Sequence, residues 1–563
     1  MKQRARRSPV LLRRYPALVF VVAAGALALL LPSALNIPQS GPSTLAEFGP
    51  VPGAGEGQSS ISTLEQAQSG GLGFGSSGGL GRKSPLNNDL GTPSQKRSRL
   101  KRCVGSPPRQ TEDPLSPPCV AFFEGDNGGA TARGVSRDEV NVAIYSTAAR
   151  QGVDDFGEPI GPGDTSTRLW LKAYMKYFND RYQTFGRSVH LFGSRPSGTS
   201  AETRRTDAGK SSDAFATLSL VGNVETYVTE AARLGVVSFD HEAYSRSVYQ
   251  KYAPYLITYL PDLDDQGRIW ASYICLRRVG GMARFSGNPQ DVTRPREFGL
   301  LHESNPSNSA YDYLAGRLKD ELVTSCGLRI KSEASVTSGG SAEQSAQQMA
   351  LALAKLRGDE VTTVIVIGTG PLLYTNGSAA QGWYPEWMFG SRIGPFGLDV
   401  NDAARQYNQA SWRHASGISY DIRRSARTSQ PWYVAFKEAC PNCEEPTVAR
   451  SASNMYDALN LLFYGIQSAG PHLTSRNLDK GLHAIPARKS PNSFTPAAYF
   501  SPGNYSYIKD AMEIWWDPTG TDPTDGQPGC YRLTHDGLRN RAGEWPDGDS
   551  GAFQTGVCQA GIG

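Results

Sequence analysis

From residue 140 onward, short apolar runs alternate with longer stretches whose apolar residues recur every three or four positions. The runs at 140–145, 189–192, 214–220 and 236–239 are short, mostly apolar and flanked by helical stretches. Strands buried on both faces read this way. Between them, Trp170, Tyr174, Tyr177 and Phe178 stand at i, i+4, i+7 and i+8, which predicts a helix continuing to about Tyr182. Further helices are predicted from near Glu202 and over 223–234. Strands and helices in this alternation make a parallel sheet covered by helices.

The pattern then repeats. A helix opening near Asp262, with Ile269, Tyr273 and Leu276 on it, leads to strand 298–302, helix 309–322, strand 328–334, helix 342–356 and strand 363–367. A third portion adds short strands at 387–389 and 417–421 and a long helix at 452–469, with Met455, Leu459, Leu462 and Phe463 on one face. Late strands at 497–500 and 512–516 precede a tail rich in proline and glycine. The expected architecture is α/β: two Rossmann-like lobes with parallel sheets, and a chain that returns after visiting both.

Ahead of the lobes, an apolar run at 17–35 comes after a leader carrying Lys2, Arg4, Arg6, Arg7, Arg13 and Arg14 and no acid. Positive charge of this kind stays on the cytoplasmic side, so the chain beyond the apolar run is exported. The run approaches the ~20 residues of a spanning helix and also overlaps the upper range of a signal-peptide core. Pro32 makes a poor cleavage site before Ala34, and no cysteine nearby can accept a lipid. An uncleaved anchor is therefore favoured over a removed signal, with both readings open.

From 36 to 133 the chain is glycine, proline and serine rich without periodicity; such a segment buries too little apolar surface to offset its chain entropy. Lys96, Arg97, Arg99, Lys101 and Arg102 lie within it. A charge run of this type is ordinarily a solvated face, with anionic lipid or cell-wall polymer as the alternative partner. The whole chain of 563 residues is 20% charged with a net charge of +4, which does not mark a nucleic-acid binder.

The expected organisation is thus a basic cytoplasmic leader (1–16), a membrane anchor or signal (17–35), a linker (36–133), a first part of lobe 1 (134–260) and a first part of lobe 2 (261–384). A return to lobe 1 (385–490) and a return to lobe 2 with the tail (491–563) complete it. Crossovers are expected around Pro261, Pro385 and 486–491.

All eight cysteines lie beyond the apolar run, and an even count in an exported chain fits a disulfide framework. Eight cysteines allow 105 connectivities; proximity suggests Cys103 with Cys119, Cys275 with Cys326, Cys440 with Cys443, and Cys530 with Cys558. Cys440-Pro441-Asn442-Cys443 also permits a metal or redox reading. A second CxxC, a His pair and a preceding thioredoxin-like strand are all missing, so no metal is expected there.

Several ordered motifs carry a family likeness. They are Gly134-Val135-Ser136-Arg137-Asp138-Glu139-Val140 entering the first strand, Leu220-Val221-Gly222-Asn223 followed by a helix and Leu234-Gly235-Val236-Val237, and Tyr252-Ala253-Pro254-Tyr255-Leu256 before the helix start at Asp264 to Gly267. The last is Trp383-Tyr384-Pro385-Glu386-Trp387 leading into a strand. In this order the chain resembles the type I periplasmic solute-binding proteins of the branched-chain amino-acid transport class. The resemblance implies a ligand cleft between the lobes, lined by the polar loops at the carboxyl ends of the strands, where helix N-termini favour an anion.

The residues it points to are Asn223, Glu225, Thr226, His241, Glu242 and Tyr244 in the first lobe and Ser304, Ser307, Thr369 and Tyr374 in the second. Glu225 and Thr226 stand near the family's paired serines, His241 to Tyr244 replaces a small-residue loop, and Ser307 lies about where an aromatic belongs. These departures point away from a plain α-amino acid toward a cationic or neutral polar ligand, amino-acid-like or an amide. The implied role is extracytoplasmic capture of a small polar solute for an ABC-type permease or a membrane sensor, without a cofactor. The alternative is a membrane-anchored surface protein that uses the same fold to bind a polymer or protein partner.

Enzymatic signatures are missing: there is no Walker loop, G-x-S-x-G, HExxH or strand-to-helix G-x-G-x-x-G in the lobes. Asp264 and Asp265 are expected to serve a helix start, and His302 is expected to be a satisfied polar residue. The protein is not expected to be an enzyme.

Overall fold

Five strands assemble the first sheet: β1 (Glu139–Tyr145), β2 (Ser188–Ser194), β3 (Ala216–Ser219), β4 (Val237–Asp240) and β5 (Leu256–Thr258). All pair in parallel in the order β2-β1-β3-β4-β5. Parallel neighbours need crossover connections, and four helices provide them: α1 (Thr167–Arg181), α2 (Ala201–Lys210), α3 (Glu225–Arg233) and the short α4 (Arg246–Lys251). The last crossover and β5 escape the hydrophobic pattern, since Leu256, Ile257 and Thr258 form too short a run to register.

The computed structural model describes residues 113–561 and the paired two-residue strands Cys103–Val104 and Arg109–Gln110. Excepted are 114, 122, 148–166, 223, 241, 306–308, 338–340, 369, 391–399, 445–448, 489–494, 547, 549, 550 and 555. The expected leader, the apolar run 17–35 and most of the linker lie outside the described residues. Among the described residues no helix is long and apolar enough to cross a membrane.

After β5 the chain enters the second lobe through α5 (Leu263–Arg277), then β6 (Phe298–Ser304), α6 (Ala310–Cys326), β7 (Ser332–Thr337), α7 (Ala342–Gly358), β8 (Thr363–Ile367), α8 (Pro371–Ala380) and β9 (Glu386–Phe389). Two single-turn helices, α9 (Asn401–Ala404) and α10 (Gln409–Trp412), precede β10 (Ala415–Ser419). The parallel part of this sheet runs β7-β6-β8-β9-β10, which repeats the strand order of the first sheet. Helix starts carry the expected caps: the Ser341 side chain and Gln344 form a capping box on α7, and Asp262 accepts the Asp265 N–H at α5. Asp262, rather than Asp264 or Asp265, is thus the cap.

Because β9 and β10 belong to the second sheet, the return to lobe 1 does not begin at 385, and Pro385 is not a crossover. The chain goes back after Ser419, to α11 (Pro431–Ala439), α12 (Ala449–Ala469) and α13 (Ser475–His483). The aromatic stripe of α1 explains why: Trp170 lies 5.3 Å from Trp432 and 4.3 Å from Phe436, and Phe178 stacks on Phe463 at 5.2 Å. One face of α1 therefore needs a partner that arrives only some 260 positions later, read from Trp170 and Trp432. The end of the expected linker is also folded. Asp113 is buried and accepts from Tyr456 Oη and Asn460 Nδ2, and Leu115 is buried beside it.

The third crossover runs beside the first, with Thr258 bridged to Ser506. The stretch 497–500 makes only single bridges, from Ala498 to Arg488 and Ile508. Then β11 (Ala511–Thr521), β12 (Pro528–Leu533), β13 (Arg539–Asn540) and β14 (Val557–Cys558) add antiparallel strands to the β10 edge of the second sheet. The tail is thus a structured extension, closed by Cys530–Cys558. Cys275–Cys326 joins α5 to α6, and Cys440–Cys443 comes directly after α11. Cys119 is disulfide-bonded, and the Cys103 side chain lies outside the described ones.

Candidate functional site

Both lobes share the order 2-1-3-4-5, so each has a topological switch point between its first and third strands, where α/β sheets bind ligands. In lobe 1 this is the carboxyl edge of β1 and β3, and in lobe 2 that of β6 and β8. The carboxyl sides of the two sheets are bridged at Asp264 in the first turn of α5, through the segments that follow β4 and β6. Its carboxylate accepts the Arg246 N–H (2.8 Å) from the start of α4 and the Tyr313 hydroxyl (3.0 Å) from the first turn of α6.

At the first switch point Tyr145 ends β1, stacked on Tyr227 of α3 with centroids 3.8 Å apart. Its hydroxyl donates to Asp207 Oδ2 (2.8 Å) and accepts from Arg204 Nη1 (2.8 Å), both on α2. Asp207 also receives the Ser197 N–H and hydroxyl and the Lys210 ammonium (2.8 Å). Burial works against its charge, but these hydrogen bonds hold the carboxyl below its ordinary range. Arg204 Nη2 reaches only the Gly222 carbonyl, at 3.5 Å. Neither Arg204 nor Tyr145 stood out in the sequence. Arg204 and Arg205 are adjacent and identical in type, and helix phase alone buries the first and exposes the second.

The expected first-lobe residues divide. Asn223 and His241 lie outside the described residues. Glu242 and Tyr244 are buried and serve the lobe internally: Glu242 Oε2 accepts the Val224 N–H (3.1 Å) at the start of α3 and the Tyr244 hydroxyl (2.9 Å). A carboxylate there suits the helix dipole. Glu225 and Thr226 are half-buried at the first turn of α3, and burial pushes the Glu225 carboxyl up.

In the second lobe, Glu303 at the end of β6 sits against Gly368 at the end of β8. A Cβ on Gly368, whose φ is +132°, would lie 2.8 Å from Glu303 Cβ. Around them opens a concavity lined by Gly370, Thr337, Ser345 and Tyr374 and by apolar residues including Val336, Met349 and Leu373. Tyr374 packs against Trp387 and Trp412, and its buried hydroxyl has no hydrogen-bond partner among the described residues. Ser304 donates to Asp312 (3.0 Å), and His302 lies between Glu333 (3.1 Å) and Asp312 (3.4 Å). Ser307 and Thr369 lie outside the described residues. Of the ten expected residues, the structure brings Tyr374 to the second switch point and Glu225 and Thr226 to the rim of the first.

Beneath the sites the three crossovers are laced together. Asp265 of the first takes Arg246 (2.6 Å), Asn504 (3.1 Å) and Lys509 (3.2 Å), the last two from the third. Arg539 binds Asp510 of the third crossover (2.8 Å) and the Tyr420 carbonyl (2.9 Å) of the second. Elsewhere Asp402, Asp522 and Asp525 converge, but Arg405 pairs with each of them, which accounts for the cluster without a metal.

No protein-family model matches the chain, and no curated protein matches it. Solved structures do. The leucine-, isoleucine-, valine-, threonine- and alanine-binding protein from Brucella ovis, in its closed conformation, is 11% identical over 73% of this chain and 98% of that one, with a TM-score of 0.50. A solute-binding protein of an ABC transporter from Rhodopseudomonas palustris HaA2, in complex with p-hydroxybenzoic acid, is 10% identical over 74% and 100%, with a TM-score of 0.48. At such identities the likeness concerns the fold: two parallel-sheet lobes of the type I periplasmic binding kind.

Proposed function

We propose that this protein is an extracytoplasmic solute-binding protein that captures a small polar solute between its lobes and presents it to an ABC-type permease or a membrane sensor. The observation that carries the reading is the repeat of one strand order in two sheets, joined by three crossovers, with the carboxyl edges of both bridged at Asp264. Such edges gather helix N-termini and polar loops, and ligands of open α/β sheets bind there. The fold likeness to solute-binding proteins supports the same role. The three disulfides within the lobes fit an oxidising compartment outside the cytoplasm. Tethering to the membrane through the apolar run 17–35 completes the proposal, on sequence grounds.

A thermal-shift screen of the purified full chain against amino acids, amides, aromatic acids, polyamines and sugars tests it. A solute at 100 times its dissociation constant stabilises a one-site receptor by ~2.7 kcal/mol. A saturable shift with one solute class, reproduced by calorimetry, is the expected result. Silence across every class, together with capture of a glycan or protein by the same preparation, would overturn capture of a small solute in favour of a surface adhesion role.

A further inference from the structure

Among the described residues, no carboxylate pairs directly with the buried guanidinium of Arg204. A guanidinium carries five N–H donors and is always ionised in proteins. Here the residue is 4% exposed, yet its hydrogen-bond partners are the Tyr145 hydroxyl and, at 3.5 Å, the Gly222 carbonyl, while Nε has none among the described residues. Among the described residues no carboxylate lies within ion-pair distance of it. The nearest acid in its network is Asp207, reached through Tyr145 Oη, and that carboxylate is already paired with Lys210. Arg204, Lys210 and Asp207 together therefore keep one positive charge in excess.

A buried cation without a counter-ion is costly, and this one sits where the carboxyl ends of β1 and β3 diverge, the crevice in which such sheets hold ligands. We infer that Arg204 is the receptor for a compact oxyanion, a carboxylate, at the first-lobe switch point. The carboxylate takes the free Nε and the weakly engaged Nη2 donors side by side, the planar fork geometry that guanidinium offers. The inference rests on the solute-binding reading and gives the solute a charge. It replaces the expectation of a cationic or neutral ligand, which came from the acids of the first-lobe loops. Of these, Glu242 is engaged with Val224 and Tyr244.

Truncating Arg204 releases from the protein only the long 3.5 Å bond to the Gly222 carbonyl and the bond to the Tyr145 hydroxyl, which keeps its own bond to Asp207. The test compares the full chain with Arg204→Met and Arg204→Lys in a low-anion buffer, then with sodium acetate, sodium 4-hydroxybenzoate, L-glutamate and the neutral 4-hydroxybenzamide. Without a carboxylate, Arg204→Met should melt at or above the parent temperature. A carboxylate should stabilise the parent, lose at least tenfold in affinity against Arg204→Met, and recover in part with Arg204→Lys. Acetate acting as well as the larger anions would identify a free small carboxylate as the occupant; a requirement for the larger ones would identify a solute. A lower melting point for Arg204→Met without anion, with equal response of both chains to carboxylates, makes Arg204 a structural clamp and overturns the inference. So does absence of any carboxylate effect on the parent. A neutral or cationic solute that stabilises parent and Arg204→Met alike overturns it too, while leaving the solute-binding reading standing.

Discussion

Arg539→Met should unlace the crossovers at a cost that depends on pH. Arg539 and Asp510 have fully buried side chains 2.8 Å apart. Asp510 also accepts the Ala497 N–H, and Arg539 also holds the carbonyls of Tyr420 and Asp421. Burial already pushes the Asp510 carboxyl up against the pull of Arg539. Without the guanidinium the carboxylate escapes by taking a proton, which at pH 7 costs an acid of ordinary pKa about 3.9 roughly 4 kcal/mol, at ~1.4 kcal/mol per pH unit. This agrees with the ~3–5 kcal/mol found when one member of a buried pair is removed. The three carbonyls that lose a donor, those of Tyr420, Asp421 and Asp510, add a part of about 1–3 kcal/mol each that does not vary with pH.

In the variant the native state keeps a proton that the unfolded chain releases above about pH 4, so its stability falls as pH rises. Urea unfolding of the full chain and of the variant at pH 5 and pH 7 reads this directly. The gap between the two proteins should widen by ~2.7 kcal/mol from pH 5 to pH 7. Arg539→Met/Asp510→Asn should lose that pH dependence. An equal gap at both pH values, or a gap below ~1 kcal/mol at pH 7, would refute the role given to the buried charge.

Three further outcomes are expected from the same packing and electrostatics. Burial raises the Glu225 carboxyl, so its contribution is full below the unfolded pKa and is lost as pH rises through the folded one. Glu225→Gln should therefore melt higher than the parent at pH 7 and together with it at pH 4; a gain that ignores pH would count against this. Cys275–Cys326 closes 51 residues and Cys440–Cys443 only 3, so paired alanine substitutions should cost ~4 and ~1.6 kcal/mol respectively by loop-closure entropy, a ranking that denaturant titration can reverse. Gly417→Ala would place a Cβ 1.8 Å from the Phe389 carbonyl oxygen across the β9–β10 pair. It should destabilise by ~1–3 kcal/mol or more, and an unchanged melting curve would contradict that packing.

Periodicity alone located most strands and long helices of both lobes, because strands buried on both faces and helices with an aromatic stripe leave marks a few residues long. Thr363–Ile367 is an example, apolar but for its first residue and buried throughout. The three disulfides were legible from proximity for the same local reason. What escaped is non-local. The chain returns to lobe 1 after Ser419 and not at 385, because the β9 and β10 edges pair with the second sheet, and pairing partners leave no trace in spacing. The tail joined that sheet for an equivalent reason: β11 offers it an edge.

The candidate site shows the same division. Sequence indicated the loops at the strand ends, but could not tell that Glu242 is engaged within the lobe or that Arg204, not Arg205, is the buried cation. Charge type is written in the chain; which charges meet a partner is decided only when helix phase and strand order bring distant groups together. The sequence by itself determined two α/β lobes and most of their cysteine framework. Tertiary structure alone decided where the chain crosses, which acids are neutralised, and where, among the described residues, one positive charge is left over.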